Sequence, residues 1–231
     1  MPQKIDVLVV APHADDPEFG IAGTVAKWTQ ENKKVVYVIC TNGDKGTGDF
    51  SLDPQELVKI REREQREAAR VAGAMDVIFL GYPDQSLEDT SEFRKEIVRQ
   101  IRIYQPDIVA TTDPYRKYIW HRDHRITGQV TLDAIYPFAR DHLAYPDLFA
   151  QGYLPHKVKE LLTWGTDEPN YWSDITGTFE TKIKALRCHE SQIGGWDFTE
   201  FYQHMKKRAA ADAQGQNFQL AEAFHRFEIW M

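Results

Sequence analysis

The chain predicts an α/β fold, a single-domain Rossmann-like three-layer sandwich with a mostly parallel sheet. Three observations predict it. Apolar runs of strand length, beginning with Val7-Leu8-Val9-Val10-Ala11, alternate with longer stretches of helical periodicity as far as about residue 140. The runs are apolar at every position rather than at alternate ones, as strands covered on both faces require. At 231 residues the chain can bury one full core, and no linker, internal repeat or low-complexity stretch divides it, so residues 1–231 are expected to form one domain.

Residues 5–11 read as a buried strand, and Gly20 to Glu31 as a helix with Ile21, Val25 and Trp28 on one side. Gly20-Ile21-Ala22-Gly23 lacks the first glycine of a dinucleotide fingerprint, and a charged loop precedes it. Its glycines are therefore expected to let the helix pack closely on the sheet. Val35 to Cys40 is a second strand, followed by the Gly- and Asp-rich loop Thr41 to Asp53. Pro54 opens a helix to about Ala72, since proline suits a first helical turn. Arg61 and Glu64 on that helix have the spacing of an intrahelical ion pair. Asp76 to Leu80 reads as strand, Glu88 to Tyr104 as helix, Asp107 to Thr111 as strand, and a helix begins near Asp123. Beyond residue 140 the rhythm loosens: Glu160 to Trp164 reads as strand, and 177–189 and 197–213 as helices. The tail Phe218 to Trp230 is strand-like or irregular.

Composition narrows the function. A formal charge of -7 argues against a nucleic-acid partner, whose footprint is normally a basic surface. No apolar stretch approaches the roughly 20 residues needed to span a membrane, and Met1 leads straight into a strand-like run without a signal peptide. Two cysteines, Cys40 and Cys188, make no disulfide framework, so a cytoplasmic location is expected. Cys40, after a strand, is a weak candidate for touching the site. A homo-oligomeric state stays open.

The chemistry concentrates in two clusters. His13-Ala14-Asp15-Asp16 follows the first buried strand, where an imidazole and two carboxylates are costly unless something compensates them. A bound divalent metal does so, and nitrogen with carboxylate oxygen suits zinc or another first-row ion. Adjacent side chains rarely point at one ion, so Asp16 is expected to bind metal while Asp15 faces the water. The second cluster is His121-Arg122-Asp123-His124. Here His124 would be the third ligand, His121 a hydrogen-bond donor standing off the metal, and Asp123 a carboxylate that orients His121 and raises its pKa. The blander alternatives are that Asp15 or Asp16 caps the next helix and that Asp123 caps the later one. Both clusters, the loop after Cys40, and Asp84 fall at the carboxyl ends of strands, where open α/β sheets bind ligands. Tyr115, Trp120 and Trp172 could stack on a sugar ring or simply pack. The set suggests hydrolysis at one metal.

The chain resembles the PIG-L/LmbE-like zinc-dependent deacetylases, which act on N-acetylglucosamine-containing substrates. The A-H-P-D-D-E motif of that family appears as Pro12-His13-Ala14-Asp15-Asp16-Pro17-Glu18, followed by Gly20-Ile21-Ala22-Gly23-Thr24. Arg61 and Glu64 match its R-x-x-E helix, and His121 to His124 its H-P-D-H motif. Lys184 to Gln192 looks like K-A-L-x-x-H-x-S-Q, and Ala221 to Phe224 like A-E-x-F. The resemblance implies zinc held by His13, Asp16 and His124, Asp15 as general base, His121 as electrophilic partner, and Arg61 and Asp84 near an acetamido-sugar substrate. Ala14 and Arg122 replace the two motif prolines, neither of them a ligand, and Arg122 adds a cation near the mouth. A metal-dependent hydrolase of another amide or ester, and a non-catalytic sugar- or metal-binding protein, are the rival readings.

Overall fold

A computed structural model of the chain describes residues 4–118 and 120–230. One seven-stranded sheet runs through it in the order β3-β2-β1-β4-β5-β7-β6. The strands are β1 (Val7–Ala11), β2 (Val35–Thr41), β3 (Asp76–Tyr82), β4 (Ile108–Thr112), β5 (Glu160–Trp164), β6 (Tyr171–Asp174) and β7 (Ala221–Glu228). The first five pair in parallel. β7 runs antiparallel to both β5 and β6, so the expectation of a mostly parallel sheet holds.

Period-two alternation within the apolar runs explains why both faces are covered. Val7, Val9 and Ala11 with Val35, Tyr37 and Ile39 feed one core beneath α2 (Ala22–Gln30) and α3 (Pro54–Ala72). Leu8 and Val10 with Val36, Val38 and Cys40 feed the other, beneath α4 (Ser91–Tyr104) and α5 (Arg122–Asp133). A smaller third cluster joins α7 (Phe179–Leu186) to α9 (Phe198–Asp212) and reaches Phe19 on α1 (Asp16–Gly20). Two short helices, α6 (Pro146–Ala150) and α8 (Glu190–Ile193), and a π-helical turn over Ala134–Phe138 lie between the longer elements.

Local signals set most boundaries. Asp53 caps α3 by accepting from Gln55 N and Glu56 N, with Pro54 in the first turn. Thr90 and Asp197 cap α4 and α9 in the same way. The helix expected from Gly20 to Glu31 is instead divided at Ile21, whose φ of -144° separates α1 from α2. The glycines there do permit close packing: a Cβ on Gly20 would stand 2.6 Å from the Trp164 ring of β5, and one on Gly23 would stand 2.9 Å from Ile175. The tail forms a regular strand, β7, and β6 was not foreseen. Four residues carry too little pattern to announce a strand that exists through its pairing with β7.

Candidate metal centre

β1 ends in Ala11, and the chain turns through Pro12 to Asp15 before α1 begins at Asp16. The turn is held by His13 N, which donates to Asp16 Oδ2 at 2.9 Å. On the other side, α5 packs unusually close to β4, because a Cβ on Gly128 would lie 2.5 Å from the carbonyl oxygen of Thr112. That approach brings His124, one turn earlier on α5, to the end of β1.

The three sequence-predicted ligands converge. Asp16 Oδ2 lies 3.1 Å from His13 Nδ1, and Asp16 Oδ1 lies 3.4 Å from His124 Nε2. Donors sharing one tetrahedral ion stand about 3.3–3.6 Å apart; here the two imidazoles meet different oxygens of Asp16, at hydrogen-bond and ion-pair distance. The donor atoms that lie mutually within 4.8 Å, one from each residue, are those of His13, His121 and His124 and those of His13, Asp84, His121 and Asp123; Asp16 belongs to neither group and touches the first through the two contacts above. The electrostatics call for a cation. Burial lowers the His13 pKa, but the carboxylates of Asp123, Asp16 and Asp84 overcome it and push the imidazole up to about 12. A proton there stands in for the positive charge that these carboxylates require. Burial lowers the His124 pKa, favouring the neutral, ligating imidazole. The residues fit a divalent metal.

Asp15 stands apart from its neighbour. Its backbone is left-handed, at φ 86°, and it belongs to neither group of clustered donors. Burial, reinforced by the adjacent Asp16, raises its pKa well above the usual carboxylate value.

Other residues take different partners from those expected. The Asp123 carboxylate is aimed at His13 rather than at His121: Oδ2 lies 3.2 Å from His13 Nε2 and accepts from Gln85 N at 2.7 Å, while Oδ1 accepts from Leu87 N at 3.1 Å. Burial opposes its ionisation, yet His13 and the two N–H donors bring its pKa down to about 2. Its link to His121 runs the other way, because Asp123 N donates to His121 Nδ1 at 3.2 Å. His121 is therefore the N-cap of α5. Its Nδ1 accepts from the Asp123 N–H, which leaves Nε2 as the ring nitrogen that can donate.

Asp84, expected beside the substrate, lies behind the imidazole, with Oδ1 3.1 Å from His13 Nε2. Arg61 is 5% exposed and faces inward: Nη1 donates to the carbonyls of Gly43 and Lys45, Nη2 donates to that of Gly46, and Nη1 stands 4.0 Å from Asp84. It braces the loop after β2. Glu64 is not its ion-pair partner, since its carboxylate accepts from Ser191 N and Oγ. Arg122 turns back to the carbonyl of Leu87. Trp120 and Tyr115 are exposed beside this edge, whereas Trp172 lies on β6 at the far edge of the sheet. Cys40 is buried in the core and belongs to neither candidate metal group.

Gln65, Glu18 and His189 form a buried polar group beneath Asp15 that sequence reasoning gave no role. A signal was present. Arg61, Glu64 and Gln65 fall on the same inward stripe of α3 as Leu57, Ala68, Ala69 and Ala72, and polar residues on a buried stripe mark a site.

The PIG-L family, described as GlcNAc-PI de-N-acetylase, matches residues 8–135, a span that holds both clusters. Diacetylchitobiose deacetylase of Thermococcus kodakarensis is 36% identical over 198 residues, covering 85% of this chain and 74% of the relative. The probable N-acetyl-alpha-D-glucosaminyl L-malate deacetylase 2 of Bacillus anthracis is 29% identical, covering 84% of each. The solved N,N'-diacetylchitobiose deacetylase from Pyrococcus horikoshii superposes with a TM-score of 0.92 at 32% identity, covering 96% of this chain and 84% of that one.

Proposed function

The chain belongs to the PIG-L family, and from that premise we propose that it is a zinc-dependent N-deacetylase, removing the acetyl group from an N-acetylglucosamine-type amino sugar or its conjugate. The observation that carries this reading is the clustering of His13, His121 and His124 ring nitrogens within 4.8 Å, with Asp16 3.1 and 3.4 Å from two of those imidazoles. His13, Asp16 and His124 would hold the metal; Asp84 and Asp123 sit behind His13, as carboxylates behind a ligating imidazole do. The metal supplies Lewis acidity toward the amide carbonyl and makes water easier to deprotonate.

Asp15 accepts the proton of the attacking water, and His121 donates from Nε2 to the oxygen on which charge develops. A proton from Asp15 or His121 then passes to the amine, so that acetate and a free amino sugar leave. Arg61 acts through the 41–53 loop, and the exposed Trp120 and Tyr115 offer faces for a sugar ring.

Residues 1–231 act as one domain in this reading, in the cytoplasm, as a monomer or homo-oligomer, without a nucleic-acid partner. Two free cysteines and the negative net charge support that placement, and no described helix is long and apolar enough to cross a membrane. An acetate-release screen across N-acetyl sugars, with and without chelator, tests the reading. Zinc-loaded protein that frees acetate from no N-acetyl sugar refutes it, and release from other amides or esters alone would favour the broader hydrolase.

A further inference from the structure

Asp15 has φ 86° and ψ -28°, a conformation that disfavours any residue with a Cβ. Released, the turn would relax to negative φ and carry the carboxylate with it. Three buried side chains oppose this. Asp15 N donates to Gln65 Oε1 at 2.9 Å. Gln65 Nε2 in turn donates to both oxygens of Glu18, at 3.2 and 3.1 Å. A backbone N–H only donates, so Asp15 must face the carbonyl end of the amide, which turns the NH₂ end to Glu18. His189 Nε2 lies 2.9 Å from Glu18 Oε2, and both residues are fully buried. The preceding peptide is pinned separately, by Gln192 Nε2 donating to the Ala14 carbonyl at 3.0 Å.

We propose that Gln65, Glu18 and His189 are positioning residues: a hydrogen-bonded chain that holds Asp15 in the left-handed turn and so keeps it from becoming a second metal ligand beside Asp16. The need is chemical. Two adjacent carboxylates must do different work, and the backbone turn between them sets the directions from which their side chains start. Glu18 and His189 meet no reacting atom; they act through Gln65, and Gln65 acts on a backbone N–H. The role in turnover rests on Asp15 being the base, as proposed above.

The test uses the full chain loaded with zinc. Gln65→Leu removes the acceptor, and Glu18→Gln is an isosteric change that frees the Gln65 amide to turn. Each is expected to lower kcat by about 10²-fold, the scale of a misplaced catalytic group, with KM and metal content unchanged. Because both act through one amide, the double variant should be no slower than Gln65→Leu alone. His189→Gln keeps a donor at similar reach and should lose far less than His189→Leu. In the crystal structure of Gln65→Leu, or of Glu18→Gln should that variant alone fold, Asp15 is expected at negative φ. Retention of positive φ, multiplicative losses in the double variant, or a fall in kcat no larger than the unfolded fraction would overturn the proposal. A wild-type chain that releases no acetate would instead overturn the deacetylase reading, and the Asp15 backbone would still decide this one.

Discussion

Glu222 on β7 ties the start of α2 to the rest of the molecule, and removing it should be costly. Its Oε1 accepts from Gly23 N at 3.0 Å and from Lys182 Nζ at 2.5 Å, while Oε2 accepts from Thr24 N at 2.7 Å and Thr24 Oγ1 at 2.6 Å. Glu222 and Lys182 are both buried. Glu222→Leu takes away the carboxylate that pairs with the buried Lys182 ammonium, leaving it the Phe19 carbonyl 2.9 Å away as its hydrogen-bond acceptor among the described residues, and orphans two helix-terminal amides. Breaking a buried pair in this way costs about 3–5 kcal/mol. For a chain of this size each kcal/mol moves Tm by about 2–4 °C, so a fall of roughly 6–20 °C is expected. Adding Lys182→Met removes the stranded charge and should recover most of the loss, leaving about 1–2 kcal/mol for the uncapped helix. Urea titration followed by circular dichroism at neutral pH measures both. If the single variant loses less than about 1 kcal/mol, or the double variant is no better than the single, the ion pair and cap do not act as described.

Further outcomes test the site itself. Asp15→Asn should keep its metal while kcat falls by roughly 10²–10⁴, whereas Asp16→Asn should lose metal in elemental analysis; the opposite pattern reverses their roles. Chelation should abolish acetate release and added zinc restore it, with about one ion per chain; activity that survives complete removal of metal refutes the centre. Arg61→Ala, which frees the carbonyls of Gly43, Lys45 and Gly46, should expose the 43–50 segment to limited proteolysis several-fold faster, and unchanged cleavage there would remove its bracing role. Burial lowers the His189 pKa, but the Glu18 carboxylate reverses this and raises it above 6.5. Its stabilising contribution is therefore full below pH 6.5 and lost as pH rises through the raised value. Unfolding free energy should fall less steeply on the alkaline side in His189→Gln than in the wild-type chain, and equal slopes would contradict the assignment.

The parallel core was legible because its determinants are local. β1 and β2 are apolar at every position, and Asp53-Pro54 writes the start of α3 in two residues. The ligand types in His13-x-x-Asp16 and His121-x-x-His124 were equally plain, as was the strand edge on which they meet. Tertiary structure decided which buried polar groups pair. Asp123 faces His13 rather than His121, Glu64 faces Ser191 rather than Arg61, and Glu222 caps a helix nearly two hundred residues earlier in the chain. Periodicity states that a residue faces inward and residue type states what it can donate or accept. Neither names the partner, because each of these groups is satisfied by an atom brought to it by a different element. β6 follows the same rule, since its four residues form a strand only where β7 supplies the hydrogen bonds. The left-handed turn at Asp15 is of this kind too: the sequence places two carboxylates side by side, and the oxygen that accepts from the Asp15 N–H comes from Gln65 on α3, itself held against Glu18 beside His189.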